Sequence, residues 1–220
     1  EIPVNGKMVT DTLGGDGIMV IDTLGNVLET WSAWDVWNVA NDPYIDEYRY
    51  DRFHMNGLCF DEDGNYLLSN PIEDQIWKID RQSGELLWKF GRNGDFEMDT
   101  TAYFSFQHSP YITEHGDLML FDNGLYNKRS GAKSFKLDEK NMTAETVINA
   151  VLPPDKYTSR MGNAYLLPNG NLLQTSSKTG SIMVTDKEGK VLWESVMYYA
   201  PYRAIYVPME TWDKYFKEIK

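Results

Sequence analysis

The sequence predicts an all-β protein, a β-propeller of four-stranded antiparallel blades, on three observations. A segment of nearly thirty residues recurs along the chain. Within each copy, short runs rich in Val, Ile, Leu, Tyr and Trp alternate with Asn-Gly, Asp-Gly and Ser-Gly pairs, which supply the positive backbone angles of tight hairpins. Helical periodicity is nearly absent before Met209.

Taken in order, the first copy runs from the Asn5-Gly6 turn through Gly17-Ile18-Met19-Val20-Ile21-Asp22 to Val27-Leu28-Glu29-Thr30-Trp31. The second joins Asp63-Gly64-Asn65-Tyr66-Leu67-Leu68, Gln75-Ile76-Trp77-Lys78-Ile79-Asp80 and Glu85-Leu86-Leu87-Trp88. A divergent third has Gly116-Asp117-Leu118-Met119-Leu120-Phe121, Lys133-Ser134-Phe135-Lys136-Leu137-Asp138 and Thr146-Val147-Ile148. The fourth has Asn169-Gly170-Asn171-Leu172-Leu173, Ser181-Ile182-Met183-Val184-Thr185-Asp186 and Lys190-Val191-Leu192-Trp193. Gly6, Gly64, Gly116 and Gly170 stand 58, 52 and 54 residues apart. Each module therefore reads as one propeller blade, with blades over about 1–34, 54–92, 108–152 and 160–197. The first is incomplete, because the chain begins almost at its turn and lacks a strand one. Residues 202–208 read as a closing strand and 209–220 as a terminal helix. Either the ends pair into a four-bladed ring without exposed edges, or the chain is the C-terminal part of a larger propeller; the second is preferred.

Composition narrows the function. The chain has 220 residues, 42% hydrophobic and 14% aromatic, enough to bury a sizeable core. With 21 basic against 33 acidic residues its formal net charge is -12, so neither nucleic acid nor an anionic membrane surface, which want a basic footprint, is expected as a partner. No apolar run reaches the ~20 residues of a membrane span. The lone Cys59, between Leu58 and Phe60, rules out an internal disulfide and a multi-cysteine zinc site, and reads as a buried structural thiol. Asp61-Glu62-Asp63-Gly64-Asn65 mimics the start of a calcium loop, but Ile72 stands where the closing glutamate belongs. No metal or cofactor is expected. Trp88 and Trp193 at the ends of fourth strands read as packing between blades, although a quinone-dependent oxidoreductase would also carry such repeats.

His54 and His108 each precede the first strand of a blade, where equivalent positions of a radial repeat face one axis. Arg160 holds the same slot in the last module, ten residues before its turn glycine as His54 is before Gly64. Two imidazoles and a guanidinium at one mouth suit an anion. His115, at a hairpin tip, reads as exposed.

Around these residues the sequence resembles a known family. His54-Met55-Asn56-Gly57-Leu58 with Asp61 to Ser69, and Phe104-Ser105-Phe106-Gln107-His108 with Leu120-Phe121-Asp122-Asn123-Gly124, are similar to the bacterial aryl-sulfate sulfotransferases. So are Met161-Gly162-Asn163-Ala164 and Tyr202-Arg203-Ala204 near the end. The resemblance implies a six-bladed propeller that moves a sulfuryl group from an aryl sulfate to a phenol without a nucleotide donor. It makes His108 the nucleophile and His54 its helper, with Asn56, Gln107, Arg160 and Arg203 as substrate-binding residues. It also implies a periplasmic or secreted location. The sequence departs from the family at Ser69-Asn70-Pro71, where an arginine is usual, and an earlier active-site histidine would fall before Glu1. A non-catalytic propeller that binds a ligand or protein is the alternative.

Overall fold

The computed structural model describes residues 2–4, 6–42 and 44–216. Sixteen strands among these pair only with neighbours in the chain, all antiparallel within sheets, which is the order of a row of meanders. In the first module β1 (Ile2–Val4) pairs with β2 (Lys7–Val9), and β3 (Gly17–Ile21) with β4 (Val27–Ser32). The second module is β5 (Gly57–Phe60), β6 (Tyr66–Asn70), β7 (Gln75–Ile79) and β8 (Leu86–Gly91). The third is β9 (His108–Ile112), β10 (Leu118–Asp122), β11 (Gly131–Asp138) and β12 (Thr143–Val151). The fourth is β13 (Asn163–Leu166), β14 (Leu172–Ser176), β15 (Ser181–Thr185) and β16 (Val191–Val196). A register shift recurs between the third and fourth strands of every module, at Val20/Ile21, Lys78/Ile79, Ser134/Phe135 and Val184/Thr185. One repeated bulge, with the extra twist it brings, ties the divergent third copy and the first copy to the same blade plan. The fold is a propeller of four-stranded blades.

Two expectations change. The first module has a strand one, β1; its gap lies between β2 and β3, where residues 10–16 leave the sheet. That loop packs too closely for side chains at its glycines: a Cβ on Gly14 would meet the Tyr50 carbonyl at 2.0 Å, and one on Gly15 the Trp34 indole at 2.0 Å. Nor do residues 202–208 form a closing strand. The backbone groups of Ala204 are taken by a side chain, the Asn163 amide, at 2.8 and 2.9 Å, and Pro208 has no N–H to offer a ladder. The terminal helix is observed as α2, after the one-turn α1 (Ile45–Tyr48), over Met209–Phe216. Residues 217–220 of the expected helix, position 1 and Asn5 of the first turn lie outside the described residues.

The core consists of three apolar layers, one between each pair of consecutive modules. Ile18, Phe53, Leu68, Trp77 and Ile79 fill the first. Leu67, Ile76, Trp88, Phe90, Phe104 and Phe135 fill the second, and Met119, Phe121, Ile148, Ala164, Leu172 and Met183 the third. Strand alternation explains the division: Leu118 and Leu120 of β10 point into the second layer, Met119 and Phe121 into the third. Trp88 thus packs between blades as expected, whereas Trp193 is 54% exposed, because β16 has no further blade against it among the described residues. A buried cation also crosses the second layer. The Lys78 ammonium meets Asp61, Asp63 and Glu139, each at 2.6 Å, so it links two modules as well as two turns. Cys59 is half-buried against the second layer, and burial pushes its thiol up to about 12, as suits a structural sulfur.

Candidate active site

The loops before β5, β9 and β13 gather at one mouth of the blades. They do so with unusual backbone: His54, Phe106, Ser109 and Met161 have φ of 50, 53, 54 and 58 degrees. Left-handed conformations cost a non-glycine residue about 1–2 kcal/mol each, and such residues concentrate where surrounding contacts hold a site in shape. Here the holding contacts are visible. Asp74 Oδ1 accepts the Phe106 N–H at 3.0 Å, and the Ser109 hydroxyl donates to the Gly162 carbonyl at 2.9 Å. Asp122 Oδ1 accepts the N–H groups of Ser105 and Gly124.

His108 opens β9 and is 5% exposed. Its Nδ1 lies 2.8 Å from Asn123 Oδ1 and 3.1 Å from the Phe106 carbonyl. Both partners are acceptors, so Nδ1 carries the proton. Nε2 is then the acceptor, and it receives the Met161 N–H at 3.1 Å. Burial holds the His108 pKa below the usual imidazole range; the Asn123 and Phe106 contacts push back, and the charges of His54 and Arg203 act with burial. Asn123 is the hub: besides His108, its amide nitrogen donates at 2.9 Å to both the Thr158 and Met161 carbonyls.

His54 differs. Its side chain is 56% exposed, and its Nδ1 donates to Asp51 Oδ2 at 2.5 Å, which leaves Nε2 without a hydrogen-bond partner among the described residues. A second carboxylate, Asp16, adjoins it, with its pKa raised by burial. Asn56 donates to the Gln107 carbonyl at 2.9 Å, while its own Oδ1 is buried and unpaired. Arg203 reaches the Asn56 carbonyl at 3.2 Å.

The six expected site residues thus divide. His54, His108, Asn56 and Arg203 come together around the mouth. Gln107 is wholly buried: its amide nitrogen donates to Ser69 Oγ and the Gln75 carbonyl of the second blade, which ties blades, while its Oε1 is buried and unpaired among the described residues. Arg160 is exposed, and its guanidinium makes no hydrogen bond or ion pair with the described residues; Met161, one residue on, is the neighbour that touches His108. Sequence reasoning missed Asn123, Met161, Asp51 and Tyr202 as site residues, although Asn123 stands in the Phe-Asp-Asn-Gly run and Tyr202 beside Arg203. Among the described residues no three His, Cys, Asp or Glu side chains form a metal-binding group. A cleft of about 620 Å³ between the first two modules, lined by Trp31, Tyr66 and Arg81 among others, includes none of these residues.

The arrangement therefore offers a neutral, tautomer-fixed imidazole beside a carboxylate-paired one. The sequence model of the family described as arylsulfotransferase (ASST) matches residues 2–198. The chain belongs to the arylsulfotransferase family. No curated protein matches it. Among solved structures, a protein of unknown function from Bacteroides caccae superposes with a TM-score of 0.56 at 14% identity, over 89% of this chain and 60% of that one. A catalytically inactive virginiamycin B lyase from Staphylococcus aureus with quinupristin gives 0.46 at 11% identity, over 83% and 49%. The first likeness concerns the fold alone. This arylsulfotransferase-family chain spans about 60% of the first structure's length and about half of the second's. Among the described residues no helix is long and apolar enough to cross a membrane.

Proposed function

We propose that the chain carries out sulfuryl transfer from an aryl sulfate ester to a phenol through a transiently sulfated His108, without a nucleotide donor. The observation that carries this reading is the double restraint on Nδ1, which keeps the proton there and the lone pair on Nε2. Burial keeps the ring neutral near pH 7, and neutral imidazole is the nucleophilic form.

In the first step Nε2 attacks sulfur, an N–S bond forms, and the S–O bond to the aryl group breaks, its electron pair leaving with the phenolate. The sulfated ring is then positive at Nδ1–H, which Asn123 Oδ1 and the Phe106 carbonyl stabilise. In the second step a phenol oxygen attacks the same sulfur and the N–S pair returns to Nε2. His54, oriented by Asp51, takes the phenol's proton on its Nε2. Arg203 supplies positive charge to the sulfuryl oxygens, and Asn56 and Gln107 fix the loops that present the two histidines. Met161 N–H must exchange Nε2 for a sulfuryl oxygen as attack begins, a change of about 0.5–1.5 kcal/mol. A periplasmic or secreted setting accompanies this reading through the family.

The same Met161 contact, together with a wholly buried Asn70 at the position where the family has an arginine, favours a second reading, a propeller that binds such ligands without turning them over. Intact-mass and peptide spectra after incubation with 4-nitrophenyl sulfate and no acceptor separate the two. One sulfuryl group on His108, absent from His108→Ala, is expected. Binding with no adduct and no transfer to phenol would leave only the second reading.

A further inference from the structure

Residues 201–204 cross the mouth without joining a strand or helix, yet they are firmly held. Pro201 is buried. The Tyr202 carbonyl accepts the Gly162 N–H at 3.2 Å and the Ser177 hydroxyl at 3.4 Å. Ala204 is bonded through both backbone groups to the Asn163 amide, and Arg203 reaches across to the Asn56 carbonyl of the second blade. This bracing fixes one side chain beside the nucleophile: the Tyr202 ring lies edge-on to His108, with centroids 6.4 Å apart and planes 68° apart. Tyr202 is nonetheless 46% exposed, so part of an aromatic side chain carried on a braced backbone stays open to solvent next to a buried imidazole. The Arg203 guanidinium stands 5.3 Å from the same ring and so keeps positive charge beside it.

We propose that Tyr202 is the specificity residue that recognises the aromatic part of the donor, and that Arg203 beside it takes the sulfate. The inference rests on the transfer reading only for the identity of the ligand. Aromatic rings attract one another at centroid separations of about 4.5–7 Å, so an aryl group brought to His108 falls within reach of a ring already fixed 6.4 Å away. Ring and guanidinium together fit an aryl sulfate better than either an alkyl sulfate or an uncharged phenol. Because the backbone that carries the ring is braced before the ligand arrives, little segment freedom is lost on binding.

Equilibrium binding by calorimetry separates this role from a merely structural one, with His108→Ala as background so that no turnover intervenes. The probes are 4-nitrophenyl sulfate and methyl sulfate, which share the anion and differ in the ring. Tyr202→Leu is expected to weaken 4-nitrophenyl sulfate about tenfold while leaving methyl sulfate within about twofold; Tyr202→Phe should bind both as the background does. Asn163→Leu, which unfastens the segment at Ala204, should copy Tyr202→Leu toward the aryl probe. Equal loss for both probes, an unchanged aryl affinity in Tyr202→Leu, or no aryl binding in the background protein would each overturn the proposal. Absence of a sulfated His108 in the wild-type chain, with the aryl preference intact, would sink the transfer reading and leave this one standing.

Discussion

Replacing Asn123 with alanine tests the architecture around His108 more directly than replacing the histidine. The side chain makes three hydrogen bonds, one accepted from His108 Nδ1 at 2.8 Å and two donated to the Thr158 and Met161 carbonyls at 2.9 Å each. Their loss is not uniform. His108 Nδ1 keeps the Phe106 carbonyl, and the Thr158 carbonyl keeps the Ser130 hydroxyl at 3.1 Å. Only the Met161 carbonyl loses its one hydrogen-bond partner among the described residues. Two bonds with surviving alternatives contribute about 1 kcal/mol each, and one buried acceptor left unpaired costs about 1–3 kcal/mol. The expected destabilisation is about 3–5 kcal/mol, read as a lower urea midpoint with unchanged slope. The same substitution removes a contact that favours imidazolium, so the His108 pKa should drop further below its already lowered value, measured from its ring proton shifts. A loss under about 1 kcal/mol, or a His108 pKa that rises, would refute the reasoning that Asn123 holds this tautomer.

Four further outcomes follow from the same contacts. His54→Ala should lower transfer to phenol about 10²–10⁴-fold, the usual contribution of a general base, while His108 still gains its sulfuryl group from 4-nitrophenyl sulfate. Lys78→Met should destabilise by about 3 kcal/mol in denaturant unfolding, because three carboxylates at 2.6 Å lose their one shared cation. Asp74, buried and pushed up to about 6, takes up protons on folding between pH 3.8 and about 6, so its contribution is greatest below pH 3.8 and lost as pH rises through 6. Asp74→Asn should therefore gain stability relative to wild type between pH 4 and 7, on the order of 3 kcal/mol in paired urea titrations. For His108 the sign is opposite: its lowered pKa makes folding release protons just below pH 6.5, so His108→Gln should flatten a loss of stability that the wild type shows as pH falls through that region.

Much of the blade plan could be read from local chemistry. Gly64, Gly116 and Gly170 sit at positive φ in the first hairpin of their modules, where only the turn itself decides the residue. Leu118 to Phe121 form an unbroken apolar run, the local mark of a strand buried on both faces. What stayed hidden depends on closure over long separations. Met161 meets His108 across 53 residues and Tyr202 meets it across the last blade, with no spacing rule to connect them. Arg160 was matched to His54 by counting back from a glycine, yet the residue that reaches the imidazole is the next one along. Residues 202–208 read as a strand, yet the backbone groups of Ala204 are met by an asparagine side chain rather than a neighbouring backbone.

The division of β10 between two apolar layers also bears on how the molecule opens. Leu118 and Leu120 answer to the second blade, Met119 and Phe121 to the fourth, so neither neighbour can detach without uncovering half of the same strand. In a linear array whose stability resides in nearest-neighbour interfaces, such a member sets the length over which unfolding is cooperative. Amides of β10 and β11 should thus exchange only through the global transition, whereas β4 and β16, each with a neighbour on one side alone among the described residues, should exchange through smaller openings of their own. The mouth that holds His108 adjoins the slow member, and the segment carrying Tyr202 is fastened to the blade that ends in the fast β16.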